Sequence, residues 1–327
     1  MSLLIPTIDD YTDAHGHPEL TFAYQQVYES IKDTKIDGKY KYPWEFEVVE
    51  GMFKQSDPAT DDLKFNYTLE DFGVISDWQD ICQKLKNLND NCKSNEMYKL
   101  IFFARHGQGF HNVIVEKYGM EEWHRKWHCM ETDGEIIFGP DPTLTTLGIK
   151  QAMENNAAWK QQLAKGAPLP SKFYVSPLQR SCKTLQLTWD GGKPQSIRPR
   201  IVESLRETIG INMCDKRSTK TVIKERFADF EIEDSMSEED TLFTTTYRET
   251  LPEHSLRVNE FLQKLFDEDI NSENQVDKNL AKDHEIIFTT SHAGTIRAFI
   301  TVLNHRKFTI STGGMIPIVV KGTRKLD

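Results

Sequence analysis

The sequence contains an apolar run that leads into a glycine-rich turn at residues 99–112, KLIFFARHGQGFHN. The residues from Leu100 to Ala104 are all apolar, which is typical of a strand buried on both faces of a parallel sheet. An arginine, a histidine and two glycines follow, and the glycines let the backbone approach a ligand where the next helix begins. Ligands of open parallel sheets bind beyond the carboxyl ends of the strands. We therefore expect the functional site at this turn.

A pattern of strand, turn and helix repeats outward from this point. Besides the strand at Lys99–Ala104, the sequence predicts strands at Lys172–Val175, Ile197–Val202, Glu285–Thr290 and, as a weaker signal, Ile316–Val320. Apolar residues recur at helical spacing between and after these strands. The alternation predicts an α/β fold with a mostly parallel, buried sheet.

The composition of the chain changes near Lys93–Tyr98. Residues 1–95 are punctuated by Gly, Asp and Pro, and they include an aromatic-rich stretch at Tyr40–Phe53 and an apolar helical face that begins at Trp78. We expect residues 1–95 to form an N-terminal extension packed on a main domain of residues 96–327. A lid over the site is the alternative interpretation of the helix.

The charge and composition limit the classes of function. The 327 residues include 40 Lys and Arg against 50 Asp and Glu, a formal net charge of -10, and 38% are hydrophobic. This composition supports a folded core and argues against a nucleic acid or an anionic membrane as the partner. Met1–Pro6 lacks the pattern of a signal peptide, no run has membrane-spanning length, and the five cysteines form no C-x-x-C pair. We expect a cytoplasmic protein, with the nucleus as the alternative, and the oligomeric state stays open.

Chemically reactive side chains follow each of the first four predicted strands. They are Arg105 and His106, then Arg180, then Glu207, then His292. Because the carboxyl ends of parallel strands share one edge of the sheet, these five side chains are expected to converge. Arginine binds phosphate oxygens, neutral imidazole attacks phosphorus, and a carboxylic acid protonates a leaving oxygen. The set predicts phosphoryl transfer through a phosphohistidine without a metal or other cofactor, and it leaves open which histidine attacks.

The same segments resemble the signature of the histidine phosphatase superfamily, in its phosphoglycerate mutase-like branch. Residues 105–107 read RHG and Asn112 lies six residues past the histidine; DPTLTTLG at 141–148, SPLQR at 176–180, LRE at 205–207 and SHAG at 291–294 follow in the family's order. The resemblance extends over residues 98–320. It implies a three-layer α/β/α sandwich of the phosphoglycerate mutase-like type.

The resemblance also implies a role for each matching residue. His106 becomes the phosphorylated nucleophile, and Glu207 becomes the general acid, with Glu203 as the second choice. The implied ligands of the phosphoryl group are Arg105, Asn112, Arg180, His292 and Gly294.

A charged run, CDKR at residues 214–217, follows the glutamate block. Lys216 and Arg217 are candidate ligands for a second anionic group of the substrate, and a solvated charged turn is the alternative. Together with RETIG at 206–210, this run is most similar to fungal and plant phosphoglycerate mutase-like proteins. The implied activity is that of a metal-independent phosphomonoesterase acting on a small phosphorylated metabolite. A phosphomutase and a non-catalytic phospholigand-binding protein are the alternatives.

Two further motifs suggest a metal site and a dinucleotide-binding turn, and both suggestions are disfavoured. His124 and His128 lie four residues apart, but no third ligand accompanies them, so they predict no metal site. Gly107 and Gly109 follow a strand as in a dinucleotide-binding turn. Asn112 stands at the position of the third glycine, and no clear ribose-binding acid ends a second strand about 20 residues on, so this class of protein is disfavoured.

Overall fold

The computed structural model of the protein describes residues 2–16, 18–273 and 285–326. Its helices are α1 (Ile8–His15), α2 (Pro18–Ile31), α3 (Trp78–Asn91), α4 (Phe110–Arg125), α5 (Thr146–Ala164), α6 (Gln179–Thr188), α7 (Lys220–Arg226), α8 (Leu251–Glu273) and α9 (Ala293–Val302). Its strands are β1 (Lys35–Ile36), β2 (Lys39–Tyr40), β3 (Trp44–Val48), β4 (Glu96–Arg105), β5 (Lys172–Val175), β6 (Arg200–Ile201), β7 (Glu231–Ile232), β8 (Ile286–Ser291) and β9 (Met315–Arg324).

A seven-stranded sheet lies at the centre, in the order β3-β9-β4-β8-β5-β6-β7. Strands β4, β8, β5, β6 and β7 pair in parallel, whereas β9 runs antiparallel to both of its neighbours. The predicted α/β fold with a mostly parallel sheet is confirmed.

Helices cover both faces of the sheet. Successive residues of a strand point to opposite faces, and in β4 the ring of Phe102 lies 4.9 Å from Trp159 of α5, while the ring of Phe103 lies 4.4 Å from Phe299 of α9. Helix α6 packs beside α5, and α8 packs beside α9. The three layers bury β4 on both sides, which explains its uninterrupted apolar run.

The strand predictions differ from the structure in length and number. Strands β4, β5, β8 and β9 lie where the sequence predicts them, but the strand predicted at Ile197–Val202 is only the two-residue β6. Pro199 directly precedes β6 and has no N–H to donate to a neighbouring strand, which accounts for the late start. Strands β3 and β7 were not predicted.

The chain before residue 96 supplies an edge strand and a covering helix. Strand β3 pairs antiparallel with β9, and fully buried Trp44 donates from its indole N–H to Asp267 Oδ1 over 2.8 Å. Helix α3 begins behind Asp77, whose side chain accepts from Asp80 N, and it places Trp78 6.3 Å from the Phe102 ring. Helix α3 therefore lies on the hydrophobic core. The domain division at residues 95 and 96 stays a prediction.

We expect Trp44→Ala to lower the free energy of unfolding by about 3–5 kcal/mol, because it leaves a cavity beneath the edge strand and removes the hydrogen bond to Asp267. Urea denaturation measures the change. The matched control is Leu69→Ala, whose side chain is 75% exposed and whose truncation is expected to change stability by less than about 0.5 kcal/mol. Equal losses for the two variants would contradict a structural role for β3.

Candidate active site

The two histidines of the predicted site lie side by side at the carboxyl ends of β4 and β8. Arg105, the last residue of β4, is in register with Ser291 of the parallel strand β8. His106 and His292 follow these two residues, and their ring centroids are 5.0 Å apart. The sheet register therefore brings together residues that are separated by most of the domain in sequence.

His106 is buried, and its Nε2 lone pair accepts from Arg180 Nε over 3.3 Å. Its Nδ1 lies 2.7 Å from the Gly107 carbonyl oxygen, which can only accept, so Nδ1 carries the proton and Nε2 keeps its lone pair. Burial, together with the positive charges of Arg180 and Arg105, holds the pKa of His106 well below its ordinary value. A neutral imidazole with an available Nε2 is the form that attacks an electrophile.

The turn after His106 is fixed by close contact with the start of α5. A Cβ on Gly107 would lie 2.5 Å from the Gly148 carbonyl oxygen, and a Cβ on Gly148 would lie 2.2 Å from the Gln108 carbonyl oxygen. Thr145 caps α5 by accepting from Gly148 N at 3.1 Å and donates to Gln108 Oε1 at 2.8 Å. Residues 141–148 thus support the turn that follows His106.

Arg180 enters the site from the first turn of α6, and 1% of it is exposed. Its Nε lies 3.3 Å from His106 Nε2, and its Nη2 donates to Asp215 Oδ1 at 2.8 Å. Its Nη1 donates to the Cys214 carbonyl oxygen at 2.8 Å. Asp215 therefore orients the arginine. Sequence reasoning missed this role, although Asp215 stands beside the two basic residues that it singled out.

Arg105 is held from the N-terminal helix α1. Its Nη1 donates to Asp10 Oδ1 at 2.5 Å and to the Ile310 carbonyl oxygen at 2.7 Å. Although burial disfavours the charge, the Arg105 guanidinium holds the pKa of Asp10 below its ordinary value. Asp10 was not predicted, because no local pattern marks one acid of an exposed helix as the partner of a residue 95 positions away.

His292 is fully buried between two serine hydroxyls. Its Nε2 lies 2.8 Å from Ser176 Oγ and 3.3 Å from Ser181 Oγ. Burial, followed by the charge of Arg180, lowers the pKa of His292 well below its ordinary value. Its Nδ1 is buried without a hydrogen-bond partner among the described residues. A serine proton donated to Nε2 leaves Nδ1–H available to a bound anion.

The Glu207 side chain contacts the first turn of α9, the helix that directly follows His292. Its Oε2 accepts from Gly294 N at 3.1 Å, and its Oε1 accepts from Thr208 N at 2.8 Å and from Thr208 Oγ1 at 3.2 Å. A Cβ on Gly294 would lie 2.1 Å from Glu207 Oε1, so only glycine leaves room for the carboxylate. Gly294 thus has a defined contact with the predicted acid.

Glu203, the second choice for the acid, makes different contacts. Its Oε1 accepts from Arg217 Nε at 2.5 Å, and its Oε2 accepts from Arg206 Nη1 at 3.2 Å. Both oxygens are thus engaged in ion pairs. This arrangement favours Glu207 for proton transfer.

The remaining predicted ligands make contacts of other kinds. Asn112 caps α4 through Oδ1, which accepts from Gly109 N at 2.9 Å. Lys216 is exposed, with its ammonium 5.7 Å from the Phe243 ring centroid. Arg217 is 3% exposed and donates to Glu203 and to carbonyl oxygens at residues 218 and 237–239. These contacts make Arg217 a support of its own loop, and binding of a substrate by Lys216 or Arg217 stays a prediction.

The histidine pair His124 and His128 does not form a metal centre. His124 is exposed, and His128 Nδ1 lies 3.0 Å from the Trp123 carbonyl oxygen. Within residues 2–16, 18–273 and 285–326, no group of three or more His, Cys, Asp or Glu side chains is arranged to hold a metal. In the same parts of the chain, no helix is both long enough and apolar enough to cross a membrane.

His106, His292 and Arg180 thus lie together at the carboxyl edge of a mostly parallel sheet. The family model for the histidine phosphatase superfamily (branch 1) matches residues 101–312. The chain therefore belongs to this superfamily, as its sequence motifs predicted.

Similar proteins occur in fungi. A probable phosphoglycerate mutase of Arthroderma benhamiae is 31% identical over 297 residues, 84% of each chain. The phosphomutase-like protein 3 of Candida albicans is 31% identical over 270 residues, 82% of this chain and 77% of that protein. Among solved structures, phosphoserine phosphatase of Entamoeba histolytica in complex with 3-phosphoglyceric acid is 17% identical, with a TM-score of 0.36 over 67% of this chain and 94% of that chain. That last similarity is too remote to carry an argument.

We expect the free energy of unfolding to fall as the pH is lowered from 7.5 to 5.5. Burial lowers the pKa of five histidines, well below the ordinary value for His106, His111, His254 and His292 and to about 4 for His305. Below about pH 6.5 the unfolded chain takes up protons that the folded chain does not, so this stability is present above pH 6.5 and is lost on acidification. Below pH 6.5, each such histidine lowers the free energy of unfolding by about 1.4 kcal/mol for each pH unit of acidification.

Urea denaturation at several pH values measures this dependence. His305→Asn, at a buried position after α9, is expected to make the dependence shallower by about one histidine's contribution, about 1.4 kcal/mol per pH unit below pH 6.5. His124→Asn, at an exposed position, is expected to leave it unchanged. A stability that is constant between pH 7.5 and 5.5 would show that the histidines are not held neutral.

Proposed function

We propose that this protein is a metal-independent phosphomonoesterase that hydrolyses a small phosphorylated metabolite through a phosphohistidine on His106. The observation that carries the proposal is the position of His106 Nε2. This nitrogen keeps its lone pair, lies 3.3 Å from the Arg180 guanidinium and belongs to a ring 5.0 Å from the second histidine. A phosphoryl group attached there would meet cationic and N–H donors at once.

In the first half-reaction, His106 Nε2 attacks phosphorus as the bond from phosphorus to the ester oxygen breaks. Arg105 and Arg180 neutralise the phosphoryl oxygens, and His292 Nδ1 is available to donate to one of them. Glu207, as a carboxylic acid, gives its proton to the departing alkoxide oxygen. The products of this step are the free alcohol, a phosphohistidine and the Glu207 carboxylate.

In the second half-reaction, water replaces the alcohol. The Glu207 carboxylate takes a proton from the attacking water, the new oxygen-to-phosphorus bond forms and the Nε2-to-phosphorus bond breaks. Inorganic phosphate leaves, and both His106 and Glu207 return to their starting forms. One glutamate therefore acts first as acid and then as base.

The surroundings of the site support a small substrate. His106 and Arg180 are at most 3% exposed, so only a group as small as a phosphoryl can reach them. The net charge of -10 disfavours polyanions such as nucleic acids. A cytoplasmic location belongs to this proposal as well.

Phosphomutase activity is the second candidate, and the names of the two fungal relatives favour it. The first half-reaction would be the same. The phosphohistidine would then transfer its phosphoryl group to a second hydroxyl of the substrate instead of to water. Glu207 would take the proton from that hydroxyl.

We expect His106→Ala to abolish phosphate release, since it removes the imidazole nitrogen that lies 3.3 Å from Arg180 Nε. The measurement is phosphate release in the presence of EDTA from sugar phosphates, phosphoglycerates, nucleotides and a chromogenic ester. His124→Ala, on the exposed end of α4, is the control and is expected to retain wild-type rates.

The outcomes of this measurement separate the candidates. Release by the wild type and not by His106→Ala supports the phosphatase. Isomerisation of a phosphoglycerate that requires a bisphosphate primer, without net release, supports the mutase. Binding of the esters with neither reaction supports a non-catalytic protein, and unchanged release by His106→Ala would exclude the phosphohistidine.

We expect Glu207→Gln to reduce turnover by about 10²–10⁴-fold on an alkyl phosphate, whose leaving oxygen needs a proton. The loss is expected to be much smaller on p-nitrophenyl phosphate, whose phenolate leaves without protonation. Glu203→Gln is the comparison variant. If Glu203→Gln showed the leaving-group dependence and Glu207→Gln did not, the acid would have to be reassigned.

A further inference from the structure

In the proposed function, on which this subsection rests, the single carboxyl group of Glu207 serves first as acid and then as base. Glu207 accepts three hydrogen bonds, from Gly294 N, Thr208 N and Thr208 Oγ1. All three stabilise the carboxylate. The first half-reaction requires the protonated acid, which must place a proton on one of these oxygens.

Only one of the three partners can accept that proton. A backbone N–H has no lone pair and can only donate, whereas a hydroxyl both donates and accepts. Thr208 Oγ1, 3.2 Å from Glu207 Oε1, is therefore the partner that fits both protonation states. When its own proton no longer points to Glu207, that proton needs another acceptor.

His254 of α8 lies on the other side of this hydroxyl. Its Nδ1 is 3.3 Å from Thr208 Oγ1, and the residue is fully buried. Its Nε2 is buried and makes no hydrogen bond within the described parts of the chain. His254 was not singled out by its sequence context.

Charged groups from several elements surround His254. On its own helix, Arg257 donates from Nε and Nη2 to Glu249, whose Oε2 lies 3.9 Å from His254 Nδ1. Burial, followed by the positive charges of Arg257, Arg297 and Arg248, lowers the pKa of His254 well below its ordinary value. The imidazole is therefore neutral, and Nδ1 of a neutral imidazole is either a donor or an acceptor.

Charged groups also face Glu207. Arg257 donates from Nη2 to the Glu207 carbonyl oxygen at 3.2 Å and from Nη1 to the Ser204 and Arg206 carbonyl oxygens at 2.9 and 3.0 Å. The start of α9 presents Gly294 N. These fixed donors hold the loop in place, so reorientation is confined to the Thr208 hydroxyl.

We propose that Thr208 and His254 are positioning residues that form a two-way hydrogen-bond relay for Glu207. With Glu207 ionised, the Thr208 hydroxyl donates to Oε1. With Glu207 protonated, its O–H donates to Thr208 Oγ1, and the threonine O–H turns to donate to His254 Nδ1. His254 carries its proton on Nε2 in both states, so only the hydroxyl reorients and only Glu207 gains or loses a proton.

The test compares Thr208→Val, which keeps the shape and removes the hydroxyl, with Thr208→Ser, which keeps the hydroxyl. We expect Thr208→Val to lower kcat at least tenfold on glycerol 2-phosphate and less than threefold on p-nitrophenyl phosphate, with KM little changed. Thr208→Ser is expected to stay within threefold of the wild type on both substrates. Thr245→Val, at an exposed position between β7 and α8, is the matched control.

A second variant pair tests the other half of the relay. His254→Asn, whose amide can present a donor or an acceptor near the Nδ1 position, is expected to retain more activity on glycerol 2-phosphate than His254→Leu. Thermal unfolding of each variant identifies a loss that arises from misfolding.

Failure of the relay is distinguishable from failure of the proposed function. Equal losses on both substrates, or no loss, in Thr208→Val would overturn the relay while Glu207→Gln still showed its leaving-group dependence. A Glu207→Gln variant with wild-type turnover on glycerol 2-phosphate would instead remove the acid itself, and the relay with it.

Discussion

The neutral state of a buried histidine between two arginines is the constraint on which the rest of the site depends. His106 needs the lone pair on Nε2, and burial beside Arg180 and Arg105 keeps that lone pair unprotonated. Two buried guanidinium groups are costly unless carboxylates pair with them. Asp215 meets Arg180, and Asp10 meets Arg105. Two carboxylates from distant parts of the chain thus pair with the arginines whose charges, together with burial, lower the pKa of His106.

A further buried arginine, Arg206, holds the loop that carries Glu207. Arg206 is fully buried, binds both carboxylate oxygens of Asp240 at 2.8 and 2.6 Å and donates to the Asp215 carbonyl oxygen at 2.7 Å. Arg206 therefore connects Asp215, the partner of Arg180, to the loop that carries Glu207. The acidic run at residues 231–240 ends in this buried ion pair. Charge in that segment serves packing as well as solubility.

The parts of the structure that sequence reasoning found are those with a local signal. The apolar run of β4 and the Arg-His-Gly turn mark the nucleophile, and a cap followed by helical spacing marks α3. Asp10 and Asp215 act through pairs that close only when the chain is folded, so no spacing announces them. Strand β3 was missed because its alternating sequence, WEFEV at residues 44–48, is short and belongs to an edge strand. Arg217 was assigned to substrate on its charge, and its contacts depend on a loop whose path no local pattern specifies.

Helix α1 lies outside the residues that the family model matches, yet it contacts Arg105 of the candidate site. The match begins at residue 101, yet the carboxylate on Arg105 comes from residue 10 and the outermost strand of the sheet from residues 44–48. The family model therefore covers less of the chain than the fold and its ion pairs do, whereas the similarity to the Arthroderma benhamiae relative extends over 84% of the chain. In relatives with a different N-terminal region, the same signature would operate with a different counter-charge on its first arginine, so substrate affinity can diverge while every signature residue stays the same.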